Sequence, residues 1–254
     1  MYQYAADELR TDALTRRILD VGCSFGYGSH LMSEAIQGAE VIGIDLEQEK
    51  IEESRRCFGG PRVEFRRADA TVPAEVDLLA EGGHFDAIVC FEVLEHIPHD
   101  KTKTLLENLR RVLRSSGWLF LSTPNREIYD IDAYSEGHIN ELTYDGFIEA
   151  LKEVGFHPTE VLGIELKSTC SSALLRELRL VKRDGNKKVV LTRAQRLLRK
   201  AIESLLDCRA LMSYLLSHMS KRRYYEWKYK TAINRRPEQS HIVLAKVSLR
   251  TEVG

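Results

Sequence analysis

No long hydrophobic run occurs in this 254-residue sequence, and no stretch approaches the ~20 apolar residues that a helix needs to cross a bilayer. The N-terminal MYQYAADELR lacks a basic start followed by an apolar run, which argues against a secretory leader. Paired cysteine spacing is also missing. Cys23, Cys57, Cys90, Cys170 and Cys208 are scattered, so neither a disulfide framework nor a zinc site is expected and a reducing, cytoplasmic setting fits. Neither charge sign dominates: 37 Lys and Arg stand against 38 Asp and Glu, a net −1 that speaks against a general nucleic-acid binder. Internal repeats and low-complexity segments are absent as well. With 43% hydrophobic and 30% charged residues, the sequence describes a globular protein with a sizeable core, most simply one domain with an elaboration.

Short apolar runs alternate with segments of helical period: RRILDVG, SHLMSEAIQ, EVIGIDL, EQEKIEESRRCF and RVEFRRAD. FDAIVCF and GWLFLSTP continue this βαβ rhythm around the amphipathic KTKTLLENLRRVLR. TYDGFIEALKEVGF then adds a helix before a strand at TEVLGIEL, and SHIVLAKV supplies a final strand. Near-continuous apolar strands imply a sheet covered on both faces. The expected fold is α/β, a Rossmann-like doubly wound sheet, mainly parallel with an antiparallel last strand.

Roughly 70 residues separate TEVLGIEL from SHIVLAKV, far more than a short connection needs. From Lys167 to Arg236 there are 19 Lys and Arg against 5 Asp and Glu, so the basic charge is concentrated in this insertion. Ala194, Leu197, Leu198, Ala201, Leu205, Cys208, Leu211, Met212 and Leu215 recur at helical spacing, with Arg193, Arg196, Arg199 and Lys200 on the polar side. KRRYYEWKYK then interleaves Tyr224, Tyr225, Trp227 and Tyr229 with basic residues, a mixture that packs as a helix end or stacks on rings while holding anions. The expected division is 1–166 with 239–250 as the main domain and 167–238 as a basic helical insertion. That insertion would form a platform for an anionic acceptor or a peripheral contact with a membrane.

Ligands of doubly wound sheets bind beyond the carboxyl ends of the strands. The first such turn is Asp20-Val21-Gly22-Cys23-Ser24-Phe25-Gly26-Tyr27-Gly28, whose glycines let backbone approach a ligand closely. The second strand ends in Asp45, next to Leu46, where a carboxylate can accept both hydroxyls of a ribose. The third ends in Ala68-Asp69-Ala70, where an acid can meet an adenine amino group. Together these outline an adenosine-shaped site.

In this order, ILDVGCSFGYG, VIGIDL, RRADA and FDAIVCFEVLEHI resemble the class I S-adenosylmethionine-dependent methyltransferases, over roughly residues 1 to 165. The resemblance implies S-adenosylmethionine as cofactor. Gly22 and Gly26 would line its methionine part, Asp45 would hold the ribose and Asp69 would face the adenine, with Asp20, Cys23, Ser24, Leu46 and Ala70 alongside. Ser24 stands where the family commonly has glycine.

After the fourth strand comes FEVLEHIPH. Glu92, Glu95 and His96, spaced i, i+3 and i+4, are expected on one face of a single helical turn that Pro98 stops. STPN follows the fifth strand, and His138 in GHINELT could come round to meet them. No Asp/Asn-Pro-Pro-Tyr stretch or candidate cysteine nucleophile is present, so adenine N-methylation and base C5-methylation fall away. A hydroxyl acceptor is left, and it needs a base or a cation to lower its pKa.

The series Glu-x-x-Glu-His, TPN and His-x-x-Glu resembles ubiquinone-pathway O-methyltransferases and enzymes that methylate the 2′-hydroxyl of small RNAs. That likeness implies a divalent cation at Glu92, Glu95 and His96, and in the RNA enzymes also at His138; carboxylates favour Mg²⁺ or Mn²⁺, and the imidazoles admit Mn²⁺, Fe²⁺ or Zn²⁺. The same four residues are the catalytic candidates if no metal is used, with His96 or His138 as base. Tyr4-Ala5, Gly26 to Ser29 and His138 to Leu142 also resemble methyltransferases of bacterial glycan and natural-product pathways, which makes a saccharide hydroxyl the favoured acceptor, with RNA ribose or a quinone-type hydroxyl as alternatives. A cofactor-binding regulator without catalysis is the least favoured reading.

Overall fold

The computed structural model describes residues 1–11, 15–127, 137–169, 229–234, 237–240 and 242–249. The chain divides into two compact units, Met1–Ile164 with Asn234–Gly254, and Glu165–Ile233.

In the first unit, β1 (Arg17–Val21), β2 (Glu40–Asp45), β3 (Val63–Arg67), β4 (Phe85–Phe91), β5 (Leu113–Pro124), β6 (His157–Thr169) and β8 (Ile242–Ser248) form a sheet in the order β3-β2-β1-β4-β5-β8-β6. β1 to β5 pair in parallel, while β8 runs antiparallel to both β5 and β6. This is the expected doubly wound sheet with one antiparallel strand. Every residue of β4 is buried, which explains the unbroken apolar run FDAIVCF at the centre of the sheet. Asp86 in β4 ties the opposite end down: its Oδ2 accepts the backbone N–H groups of Arg16 and Arg17, each at 2.9 Å, and its Oδ1 accepts from Arg114 at 2.6 Å.

Helices α2 (Tyr27–Ala35), α3 (Gln48–Phe58), α4 (Pro73–Leu79), α5 (His99–Val112) and α6 (Tyr144–Glu153) cover the sheet. α5 buries Thr102, Leu105, Leu106, Leu109 and Val112, the spacing of one helical stripe. An additional helix, α1 (Tyr2–Arg10), buries Ala5, Ala6 and Leu9. It is fastened by Tyr2 to Asp20, by Lys246 to Glu8 at 2.8 Å, and by the Tyr4 hydroxyl to Glu160. Among the described residues no helix is long and apolar enough to cross a membrane.

Described residues of the second unit are the end of β6 and β7 (Tyr229–Asn234), neighbours in the sheet order. The amphipathic helix expected around 194–215 and most of KRRYYEWKYK lie outside the described residues.

Candidate active site

The strand order reverses between β1 and β4, so the turns leaving these two strands face one crevice. They touch: a Cβ at Gly22 would come within 2.5 Å of the Val93 side chain, and Gly22 has φ +71°. The glycine turn and EVLEH therefore form one continuous wall.

Within the turn, Ser24 and Gly26 also take left-handed conformations, φ 49° and 78°. Ser24 adopts what a glycine would find easier, at modest cost, and its N–H is used: it donates to Asp45 Oδ2 at 3.0 Å. Asp45 Oδ1 accepts the Glu47 N–H, also at 3.0 Å. Each carboxylate oxygen of Asp45 thus holds one backbone donor, and each retains a further lone pair. Leu46 beside it is 55% exposed, a large apolar side chain at the rim of the crevice. Asp69 Oδ1 accepts from both the N–H and the hydroxyl of Thr71 at 2.8 Å, while Asn108 supports the carbonyl of Ala70 at 2.9 Å.

Asp20 is fully buried beneath the turn, where Tyr2 and Ser29 hydroxyls donate to it at 2.8 and 2.6 Å. Burial pushes its pKa up to about 7 against these two donors, which favour the charged form. The sequence gives neither hydroxyl this role. Burial likewise pushes the Cys23 and Cys90 thiols well above their ordinary range, which disfavours either as a nucleophile.

The turn after β4 departs from the expected geometry. Only Leu94–His96 form a helical turn, of 3-10 type, and Glu92 precedes it with φ 56°. Glu92 therefore does not share a helical face with Glu95 and His96. Its carboxylate instead accepts the Ser122 hydroxyl at 2.8 Å, and its N–H meets the Ser122 carbonyl at 3.2 Å. Pro98 does stop the turn, and it caps α5.

Glu95, His96 and His138 do converge: one ligand-type atom from each lies within 4.8 Å of the others. The two rings stand edge to face with centroids 5.0 Å apart. His96 Nδ1 lies 3.1 Å from the Gly137 carbonyl, and since a carbonyl can only accept, Nδ1 carries a proton, which in the neutral ring leaves the lone pair on Nε2. His138 Nδ1 lies 2.8 Å from Glu141 Oε1. Glu95 is fully buried; its Oε2 accepts from Thr123 at 3.3 Å and its Oε1 has no hydrogen-bond partner. Burial first, then the neighbouring Glu92 carboxylate, raises the Glu95 pKa, and burial raises that of Glu92. Carboxylates so placed are driven towards protonation unless positive charge faces them. Ser122 and Thr123 of STPN are thus the hydroxyls that hold the two acids. Asn140 pins the His138 segment through Leu94 O at 3.2 Å and Thr102 Oγ1 at 2.8 Å.

A parallel sheet with a glycine turn after its first strand and an acid ending the second defines a protein that takes a nucleotide-like ligand at its switch point. Residues 18–117 match the family described as a methyltransferase domain. The ubiquinone biosynthesis O-methyltransferase of Bordetella avium is 36% identical over 47% of this chain and 47% of its own length. The chain spans between about half and two thirds of the curated relatives it matches first. A SAM-dependent methyltransferase from Archaeoglobus fulgidus superposes with TM-score 0.52 at 21% identity, over 97% of this chain and 94% of that one. The [4+2]-cyclase SpnF superposes with TM-score 0.56 at 16% identity, over 96% and 78%, so the fold is shared beyond methyl transfer. Fold, ordered motifs and relatives together show that the chain carries a class I S-adenosylmethionine-dependent methyltransferase domain.

Proposed function

We propose that the protein is an S-adenosylmethionine-dependent O-methyltransferase that activates an acceptor hydroxyl at Glu95, His96 and His138. The convergence of these three side chains in the wall that includes Gly22 and Val93 carries the reading. Bound in the crevice, the cofactor would supply an electrophilic methyl group. Asp45 would accept the ribose hydroxyls with the lone pairs its two backbone donors leave, Leu46 would lie along the adenine, and Asp69 Oδ2 would meet its amino group. Asp20, occupied by Tyr2 and Ser29, would stiffen the turn from below.

A hydroxyl attacks poorly while it keeps its proton, and the Nε2 of His96 or His138 is the acceptor that these side chains provide. The cluster also fits a divalent cation: a buried carboxylate oxygen without a partner and two imidazoles form a mixed donor set that suits Mn²⁺, Fe²⁺ or Zn²⁺ better than Mg²⁺. Such an ion would lower the acceptor pKa, and Glu92 would stand outside the set of converging atoms.

Much of the pattern that favours a saccharide acceptor has other work. The Tyr4 hydroxyl binds Glu160, Ala5 is buried, Ser29 binds Asp20 and Leu142 is in the core. The name of the relatives, ubiquinone biosynthesis O-methyltransferase, supports an acceptor hydroxyl of the quinone type, and comparing such an acceptor with a saccharide in the same assay separates the two. Chelation should abolish transfer and leave S-adenosylhomocysteine binding intact, with Mn²⁺ restoring turnover. Full turnover after chelation would leave His96 or His138 as a base acting without metal. Unaltered transfer in both His96→Ala and His138→Ala would remove the cluster from the chemistry.

A further inference from the structure

We propose that Glu141 is the positioning residue that fixes the ring and tautomer of His138. The pair is enclosed, with the His138 side chain 13% and the Glu141 side chain 6% exposed, and Oε1 lies 2.8 Å from Nδ1. An ionised carboxylate only accepts, so this contact places a ring proton on Nδ1, which in the neutral ring leaves the lone pair on Nε2. His96 reaches the same state through the Gly137 carbonyl. Two rings standing edge to face thus take one tautomer from two different acceptors, one neutral and one charged. A carboxylate behind an imidazole both orients the ring and strengthens it as a donor. Glu141 Oε2 is buried without a hydrogen-bond partner, so the carboxylate is not placed there to serve another donor.

The backbone here is held by other means. Ile139 and Asn140 N–H groups donate to the Glu95 carbonyl at 2.8 and 3.1 Å, and Asn140 fastens the segment to Leu94 and Thr102. Removing the Glu141 carboxylate should therefore take away the acceptor at His138 Nδ1 while the segment stays in place. The inference depends on the proposed site only for what the ring is used for, and its test needs no turnover.

Nitrogen-15 spectra of the metal-free protein at alkaline pH report the tautomer of each histidine. His138 should carry its proton on Nδ1 in the unaltered protein and in Glu141→Gln, whose amide oxygen accepts the same bond, and should become a mixture in Glu141→Ala. Mn²⁺ affinity should fall on the order of 10–100-fold in Glu141→Ala, fall less in the Gln variant, and S-adenosylhomocysteine affinity should hold in both. A wild-type His138 protonated on Nε2, or a tautomer indifferent to Glu141→Ala, would overturn the proposal. If the Ala variant does not fold, the wild-type and Gln spectra still decide. If Mn²⁺ does not bind the wild type, the metal reading fails while the spectra still judge Glu141.

Discussion

Asp20 shows how a single side chain beneath the glycine turn couples this site to stability. Its pKa of about 7 lies above the ~3.9 of an unfolded Asp. The folded state therefore binds the extra proton, and the stabilisation is complete below about pH 4 and is lost as pH rises through 7. Between pH 5 and pH 8 this amounts to roughly 2–3 kcal/mol. Urea unfolding of wild type and Asp20→Asn should show their stability gap shifting by about that much in favour of Asn across this range; parallel pH profiles would contradict the assignment. At this scale the sequence was legible where chemistry forces a residue type. Asp45 ends β2 with its carboxylate fixed by two N–H groups, and Glu95, His96 and His138 meet. Tyr2, Ser29 and Ser122 carried no such signal, because a hydroxyl that supports an acid looks like any other until distant strands bring it there. Glu141 was within reach, since His-x-x-Glu spacing places a carboxylate near an imidazole.

Elements divide along similar lines. The five parallel strands and α5 could be read because their burial is uniform or strictly periodic. α1 could not: nine residues with only Ala5, Ala6 and Leu9 buried make a weak pattern, and a helix that short takes its stability from docking. The Tyr2 ring packs edge-on against Phe91 at 4.9 Å, and a Cβ at Gly28 would strike it at 2.1 Å. Gly28→Ala should therefore push α1 away, at about 1–3 kcal/mol for overpacking, and release the Tyr2 bond to Asp20. A lower melting temperature together with faster amide exchange over residues 2–10 would be the signature, and wild-type exchange there would show that α1 docks independently of Tyr2. The EVLEH turn was misjudged for a local reason. Ideal helical spacing assumes regular backbone, whereas Glu92 leaves β4 in a left-handed conformation and turns to Ser122.

Across the whole molecule, charge is as informative as fold. The chain is nearly neutral, yet 167–236 holds 19 Lys and Arg against 5 Asp and Glu. A basic segment of this kind would attract an anionic acceptor, and salt screens the attraction, since the Debye length shrinks from ~10 Å at 0.1 M to ~3 Å at 1 M. KM for such an acceptor should rise with salt while S-adenosylhomocysteine affinity barely moves; an unchanged KM would leave the segment a packing role. The proposed chemistry rests on the crevice between β1 and β4 holding S-adenosylmethionine, and calorimetric titration of S-adenosylhomocysteine into the wild type and Asp45→Ala tests that most directly. One site in the wild type is predicted, weakened in the folded variant by on the order of 1.5–3 kcal/mol for a lost charged hydrogen bond. No binding by folded wild type, or equal affinity in the two proteins, would contradict it.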